Sequence, residues 1–508
     1  MSSTNYTSLS YSLPFHFNEP SLTFSWIGFT LLAILLSYGA FVILKPDPYA
    51  HIPAVGGSGI ISAYYTAKKF YSHSHELLDA GYEKYKDRIY RIPDKDRWQI
   101  IVSRPDQIEE LRKAPDDVLS FKDFVDNTLF IKYLMGRTIV TNEYHVGVVR
   151  SQLTKNLSVL FDDLREEIQS AFDDIIPQTD GREPEYLKVN IDFTMSITKS
   201  RDRLIHTPVF LRPLVARYLT TVSESVATAA KYLGPVIQER QAKIDEYGQD
   251  YPEKPADLLS WLMEDASDEE RTVTQLTNRI LSLNFAAIHT SSMTFTHTLY
   301  HLAAEPHYLQ PMREEIESVI AQEGWTKIAM TKMHKLDSFL KESLRYNGIG
   351  FGLYFCVPLA PHCLINPTNS VSLTRLALKD FTFTDGTFIP KGTFISAAAQ
   401  PIHHDEEKYP DSEKFNGFRF ANIRTQDGYN TTNQFVNTSP DYISFGHGKH
   451  ACPGRFFAAN ELKSMLAYLV LNYDIKMKNE GVRPKNLSVA MSCLPDLSAS
   501  VMFRRRQL

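Results

Sequence analysis

The chain has 508 residues, of which 43% are hydrophobic and 22% are charged, and its formal net charge is −5 at pH 7. This balance is that of an ordinary globular protein, and the negative net charge argues against a protein that binds nucleic acid. Four cysteines are too few for a disulfide framework, so we expect the main body in a reducing compartment.

The N-terminal region predicts a membrane anchor. Residues 21–44 form an apolar run without charges that is long enough to cross a bilayer as a helix. No lysine or arginine precedes the run, whereas Lys45, Lys68 and Lys69 follow it, so the positive-inside rule places the C-terminal body in the cytosol. A cleaved signal peptide is the alternative, and the absence of a basic segment before the run weakens it. We therefore assign residues 1–20 to a short lumenal segment, 21–44 to a single transmembrane helix and 45–56 to a proline-rich hinge.

The remaining residues, 57–508, are predicted to form one mainly helical domain with small β-sheets. Helical periodicity dominates from about residue 64 to 315, and residues 89–93 and 98–102 predict a short pair of strands. Thr272 and Gln275 form a capping box that opens the longest helical pattern, which ends near residue 305. Residues 381–387 contain an Asp-Gly turn and predict a hairpin.

Two helical segments carry polar residues that need an explanation. Ala286–Ser291 lies midway along the longest helix and combines small residues with His289 and Thr290. The simplest interpretation of Thr290 is that its hydroxyl bonds back to the carbonyl four residues earlier. On a later helix, Glu342 and Arg345 are three residues apart and can pair on one face, as many surface ion pairs do.

Residues 445–454, with the sequence Phe-Gly-His-Gly-Lys-His-Ala-Cys-Pro-Gly, carry the strongest chemical signal in the chain. A long amphipathic helix is predicted directly after them, so Cys452 lies at a helix N-terminus, where free N–H groups favour the thiolate. Gly446 and Gly448 allow a tight bend and a close approach to a flat ligand. A thiolate presented in this way suits a metal ion, and a haem iron in particular. The alternative is a small buried hydrophobic cysteine.

The segment 445–454 resembles the haem-binding loop of the cytochrome P-450 family, Phe-x-x-Gly-x-Arg-x-Cys-x-Gly, except that His450 stands in place of the arginine. Glu342 and Arg345, followed downstream by Arg419, are similar to the family's buried Glu-x-x-Arg triad. The resemblance covers the chain from about residue 52 onward. It implies the cytochrome P-450 fold, mainly helical with small sheets, preceded here by the N-terminal transmembrane helix.

The resemblance also implies roles for individual residues. Cys452 would be the axial ligand of the iron of haem b, and Phe445 would pack near its sulfur. The haem propionates would be bound by Arg375, His450 and Arg150, in that order of preference.

Ala286–Ser291 is similar to the family's oxygen-activation segment, although His289 replaces the usual acidic residue. The resemblance therefore implies that Thr290 hydrogen-bonds dioxygen and relays protons. It leaves His289 as an imidazole able to shuttle protons.

Residues 351–369 do not fit the resemblance. This apolar segment contains two of the four cysteines and separates the Glu342 helix from the strand that carries Arg375, whereas the family joins them by a short turn. We interpret the segment as either a retained intron or a genuine insertion loop. Sequencing the mature transcript distinguishes the two.

The function implied is that of a haem-thiolate monooxygenase of the endoplasmic reticulum membrane, similar to the fungal group that includes ent-kaurene oxidases and indole-diterpene oxygenases. Its partners would be NADPH–cytochrome P-450 reductase, membrane lipid and an apolar small-molecule substrate, such as a terpenoid or another secondary metabolite. The alternatives are a haem-thiolate isomerase or dehydratase that needs no reductase, and an inactive relative or the product of an incorrect gene model.

Overall fold

A computed structural model describes residues 29–37 apart from 31 and 35, and residues 46–94, 97–175, 184–348, 371–426, 431–489, 492–496 and 498–507. The chain divides into two compact units, Met1–Ala50 and His51–Leu508. Most of the predicted lumenal segment and transmembrane helix, and the whole of 351–369, lie outside the described residues. Among the residues that are described, none belongs to a helix both long and apolar enough to cross a membrane.

The larger unit is mainly helical, as predicted. Its N-terminal half contains α1 (Ile60–Ser72), α2 (Ser74–Tyr85), α3 (Pro105–Lys113), α4 (Phe121–Leu129), α5 (Ile131–Leu134), α6 (Arg137–Thr141), α7 (Tyr144–Val148), α8 (Phe161–Ile175), α9 (Pro184–Ile205), α10 (Arg212–Tyr218), α11 (Val222–Tyr247) and α12 (Leu258–Asp265). The C-terminal half contains α13 (Val273–Ala304), α14 (Leu309–Glu323), α15 (Lys327–Lys332), α16 (His334–Asn347), α17 (Ala399–His403), α18 (Arg419–Gln426) and α19 (Arg455–Asn472).

The strands form small sheets, as predicted. They are β1 (Tyr90–Asp94), β2 (Arg97–Val102), β3 (Leu119–Ser120), β4 (Ser372–Ala377), β5 (Phe381–Thr382), β6 (Phe388–Ile389), β7 (Phe394–Ala397), β8 (Tyr473–Met477), β9 (Leu487–Val489), β10 (Ser492–Leu494) and β11 (Val501–Arg505). The largest sheet has the order β1-β2-β7-β4-β3. Strands β2 and β7 are parallel and its other neighbouring pairs are antiparallel. The pairs β5–β6, β8–β11 and β9–β10 are antiparallel ribbons.

The longest helix, α13, begins where the capping box predicts. The Thr272 hydroxyl accepts the Gln275 N–H at 3.3 Å, which satisfies one of the free donors of the first turn. The helix ends at Ala304, just before Pro306, because proline cannot continue the hydrogen-bond ladder. Its C-terminal part packs into the main hydrophobic core together with α14, α16 and α19. This core places the two helices of functional interest, α13 and α19, side by side.

Candidate active site

The segment 445–454, hereafter the cysteine loop, is closed by its own backbone. The Cys452 N–H donates to the Phe445 carbonyl at 2.8 Å. Gly446 and Gly448 have φ angles of 69° and 74°, which suit glycine and strain other residues. The helix that follows begins at Arg455, with Gly454 at its N-cap, so Pro453 precedes the helix instead of opening it.

The prediction that this helix is amphipathic is wrong. The consecutive residues 466–470 of α19 are all buried, so apolar contacts surround this part of the helix on every side. The reason is its position, because α19 packs against α8, α13, α14, α15 and α16. A helix enclosed by neighbours has no need of a polar face.

The protonation of Cys452 differs from the expectation for a helix N-terminus. Burial raises the pKa of its thiol, and the Gly454 and Arg455 N–H groups and the Arg455 guanidinium lower it only in part. The N–H groups at the helix N-terminus therefore favour the thiolate, as predicted, but desolvation of the charged sulfur is the larger effect in the polypeptide alone. A bound cation would reverse this balance, since a coordinating thiol is deprotonated outright.

The segment from α3 to the turn after it supports the cysteine loop from one side. The His447 imidazole lies 3.1 Å from Glu109 Oε1 and 2.9 Å from the Thr438 hydroxyl. Arg112 occupies the space beside Gly448, where an added Cβ would lie 2.3 Å from Arg112 Cγ. Gly448 therefore accommodates a protein side chain of α3, in addition to adopting a positive φ.

The three residues predicted to bind propionates lie around the same loop but in different environments. His450 Nε2 is 2.6 Å from Asp116 Oδ1, so a carboxylate of the protein already engages this imidazole. Arg150 is exposed and donates from Nη2 to the Lys449 carbonyl at 3.0 Å. Arg375 is 2% exposed and donates from Nη1 to the Thr374 carbonyl at 3.0 Å.

The backbone of β4 orients Arg375. The pairing of β4 with β7 shifts register between Ser372 and Arg375, and Leu373 has a positive φ of 52°, which is uncommon for a leucine. Such bulges redirect side chains next to functional sites. The Arg375 guanidinium lies 5.5 Å from the centre of the Phe121 ring, and burial lowers its pKa to about 10.

The middle of α13 is the open part of that helix. Buried residues lie on both sides of it, but none of the described residues 286–293 is buried, and Ile288 is 45% exposed. Thr290 donates to the carbonyls of Ala286 at 2.9 Å and Ala287 at 3.2 Å, which is the back-bonding interpretation given above. His289 contacts α9, with Nε2 2.6 Å from the Thr194 hydroxyl, and burial lowers its pKa.

The Glu-x-x-Arg motif forms a buried network instead of a surface pair. The Glu342 carboxylate accepts from Arg345 Nε at 2.8 Å and Nη2 at 2.9 Å, and from Arg419 Nε at 3.2 Å. Both Glu342 and Arg345 have no exposed side-chain surface. The guanidinium groups also donate to backbone carbonyls: Arg345 donates to the Ser412 carbonyl at 3.0 Å, and Arg419 donates to the Asp411 carbonyl at 3.1 Å. The network thus joins α16 to the irregular segment that precedes the cysteine loop.

Comparison with known proteins identifies the family. The family model described as Cytochrome P-450 matches residues 168–503. The chain belongs to the cytochrome P-450 family. It is 42% identical to cytochrome P-450 monooxygenase 151 of Postia placenta, over 91% of this chain and 95% of that protein. It is 36% identical to a cytochrome P-450 monooxygenase of Ganoderma lucidum, over 94% and 96%. It is 28% identical to an ent-kaurene oxidase of Gibberella fujikuroi, over 96% and 99%.

As a cytochrome P-450 monooxygenase the protein is an oxidoreductase whose cofactor is haem with an axial cysteine thiolate. The residues present fit this group. Cys452 lies in a loop where burial raises the pKa of its thiol and the Gly454 and Arg455 N–H groups lower it, and a coordinating cation would favour the thiolate. Arg375 and His450 supply nitrogen donors beside the same loop, and residues 286–293 leave a helix surface that is not buried by the protein.

Two polar residues of this cytochrome P-450 site were missed by sequence reasoning. Asp116 holds His450 and Lys449, but its aspartate pair with Asp117 has the pattern of an ordinary solvated turn. Glu461 lies on α19 and accepts from the Ser291 hydroxyl at 2.9 Å, which links α19 to the open part of α13. Glu461 has polar neighbours in the sequence, Asn460 and Lys463, so nothing in its local pattern marks it as a residue of the site.

Proposed function

We propose that this monooxygenase oxidises an apolar small molecule of the terpenoid or secondary-metabolite class, with Cys452 as the axial ligand of its haem. The observation that carries the proposal is the bond between Ser291 and Glu461 at 2.9 Å. This bond sets the open segment of α13 directly against the helix that follows the cysteine loop. A thiol on one side and an accessible helix with a hydroxyl on the other are the two halves of a haem-thiolate oxygenase site.

Each residue at the loop has a separate task in this proposal. Cys452 would hold the iron, and the Gly454 and Arg455 N–H groups face its sulfur and lower the thiol pKa. The Phe445 ring, 5.2 Å from the ring of Phe435, anchors the start of the loop in the main core. Arg375, His450 and Arg150 would hold the two propionates, with the buried Arg375 making the strongest contribution because water would screen it least. When bound, haem with a thiolate ligand supplies the activation of dioxygen.

On the α13 side, Thr290 has the central role. Its hydroxyl hydrogen is directed to the Ala286 and Ala287 carbonyls, which leaves the oxygen lone pairs to accept a proton-bearing partner. His289 stands in the position of the usual acid and moves protons through its contact with the Thr194 hydroxyl. Both assignments extend the family resemblance to these residues.

The substrate class is supported by the apolar character of the open segment and by one relative. Ile288 is 45% exposed beside Ala286 and Ala287, which favours an apolar ligand over a charged one. The relative from Gibberella fujikuroi is named for the oxidation of ent-kaurene, and the similarity to it covers 96% of this chain. We infer a terpenoid-like substrate from these two observations.

The remaining partners follow from the membrane assignment. We propose that residues 21–44 anchor the protein in the endoplasmic reticulum membrane, with the domain in the cytosol and electrons supplied by NADPH–cytochrome P-450 reductase. The segment around α10 supports contact with membrane lipid, because it exposes several large apolar side chains: Val209, Phe210, Leu214, Tyr218 and Leu219. An exposed apolar patch of this size is typical of a surface that contacts a membrane or another protein.

The first test is the absorption spectrum of the reduced protein with carbon monoxide. The full chain, expressed in membranes, should give the thiolate-type Soret band, and Cys452→Ala should abolish it. Cys493→Ala is the matched control, because Cys493 is also a free cysteine but is buried on β10. A thiolate-type band that survives Cys452→Ala contradicts the proposed ligand.

The second test separates the proposed reaction from its alternatives. Reductase added to the membranes should make NADPH consumption dependent on an added diterpene hydrocarbon, with oxygenated product formed. Turnover without reductase would instead indicate an isomerase or dehydratase. A chain that never shows the thiolate-type band would indicate an inactive relative or an incorrect gene model.

A further inference from the structure

Asp116 lies at the centre of a cluster of cationic side chains beside the cysteine loop. Its Oδ1 is 2.6 Å from His450 Nε2, and its Oδ2 is 2.5 Å from Lys449 Nζ. These two contacts connect the turn after α3 to two consecutive residues of the loop. They span more than 330 positions of the sequence, so no local pattern predicts them.

A third cation belongs to the same cluster. Arg375 is buried, and burial lowers the pKa of its guanidinium. The negative charge of Asp116 raises that pKa and so opposes the effect of burial. Arg375 and His450 also share one aromatic neighbour. The Phe121 ring centre lies 5.5 Å from the Arg375 guanidinium and 5.7 Å from the centre of the His450 ring. Asp116 therefore provides negative charge to a group of three positively charged or protonatable side chains.

The simplest interpretation is an ordinary surface ion pair, which contributes little to stability. For the contact between Asp116 and His450, the low exposure of the His450 side chain argues against this interpretation. The Lys449 side chain is 69% exposed, as expected at a surface, but the His450 side chain is only 22% exposed. Its ring is held by Phe121 on one side and by the Asp116 carboxylate at its edge. An imidazole fixed in this way has one defined orientation.

We infer that Asp116 is a positioning residue of the haem site, which holds the His450 imidazole in place where the family has an arginine. An arginine offers five N–H donors on a long side chain and can reach a carboxylate without help. Histidine is shorter and has two ring nitrogens. Since Asp116 accepts from Nε2, the ring is fixed in one orientation, and the imidazole would donate from Nδ1 to a propionate in its protonated form, in which both ring nitrogens carry hydrogen. The inference rests on the proposed haem site at Cys452.

The test is the rate at which ferric haem leaves the full-length holoprotein, measured by transfer to apomyoglobin. Asp116→Asn keeps the size of the side chain and removes its charge, and it should accelerate haem loss about 10-fold, the lower end of the effect expected for outer-shell partners. Asp117→Asn is the matched control, because Asp117 is the adjacent residue and pairs with Lys379 at 2.6 Å, away from the loop. It should leave the rate unchanged, and Asp116→Glu should recover most of the loss.

A double-variant cycle separates positioning from a general loss of stability. If Asp116 acts through His450, Asp116→Asn should add little to the haem loss already caused by His450→Ala. Effects that multiply in the double variant overturn the inference, and so does an Asp116→Asn rate equal to that of Asp117→Asn. Loss of the thiolate-type band in Cys452→Ala distinguishes these outcomes from failure of the haem site itself.

Discussion

Replacing Glu342 with glutamine removes the charge at the centre of the buried Glu342–Arg345–Arg419 network and should destabilise the fold strongly. The carboxylate accepts N–H groups from both arginines at 2.8–3.2 Å, and from the Asn416 backbone at 3.0 Å. Glutamine has the same size, but its amide offers one acceptor oxygen and adds two donors. Two guanidinium groups would then face a neutral side chain that partly competes with them as a donor.

The expected magnitude follows from burial and from the bonds that survive. Removing one partner of a buried ion pair costs about 3–5 kcal/mol, because the other charge is left uncompensated. Glu342 and Arg345 have no exposed side-chain surface, so water cannot screen the loss. The arginines keep their bonds to the Ser412 and Asp411 carbonyls, which places the expected cost near 3 kcal/mol, the lower end of that range. Since domains are stable by about 5–15 kcal/mol, this is a large fraction of the total.

The assay is the urea concentration at half-unfolding of the holoprotein, followed by far-ultraviolet circular dichroism. Glu480→Gln is the matched control, because Glu480 pairs with Lys476 at 3.0 Å in an exposed position and the loss of this pair should leave the midpoint nearly unchanged. The reasoning is refuted if Glu342→Gln and Glu480→Gln unfold at the same urea concentration. It is also refuted if Glu342→Gln is more stable than the parent protein.

Three further predictions concern the site. Gly448→Ala should lower the haem-to-protein absorbance ratio more than Gly481→Ala does. Both glycines have a φ near 70°, but only at Gly448 would an added Cβ lie 2.3 Å from Arg112 Cγ. Adding Arg112→Ala to Gly448→Ala should partly restore the ratio. Burial raises the pKa of Glu461 above 4.5, so the parent protein should lose stability relative to Glu461→Gln as the pH rises from 4.5 through the raised pKa. The prediction is contradicted if the melting temperatures of the two proteins differ by the same amount at about pH 5 and at about pH 8. Thr290→Val should lower the ratio of product formed to NADPH consumed, whereas Thr290→Ser, which retains the hydroxyl, should preserve it; equal ratios in both variants would remove Thr290 from the proposed proton relay.

The sequence predicts those features that depend on local order. The start of α13 follows from the capping residues Thr272 and Gln275, and its end follows from Pro306. The hairpin of β5 and β6 follows from its Asp-Gly turn, where Gly386 has a φ of 84°. Each of these features is fixed by interactions between residues a few positions apart, which a sequence displays directly.

The site was predicted less completely because its contacts join distant segments. The spacing of Glu342 and Arg345 predicts a pair but not its complete burial, which results from the fold around α16. His450 was correctly recognised as unusual, but its partner Asp116 is 334 positions away and is one of many aspartates. The net direction of the Cys452 pKa shift could not be predicted from the sequence for a related reason. The helix N-terminus is visible in the sequence, whereas the burial that outweighs it depends on the whole core.

The network around Glu342 and the one around the cysteine loop perform the same physical task on successive parts of the chain. Arg345 and Arg419 donate to carbonyls of residues 403, 410, 411, 412 and 414, in a segment with few backbone hydrogen bonds of its own. Asp116, Glu109 and Arg150 then hold the cysteine loop through its side chains and the Lys449 carbonyl. Irregular backbone at the protein interior needs such partners, because each unsatisfied polar group is costly. A monooxygenase that must present a thiol from a loop therefore depends on side chains far from that loop in sequence.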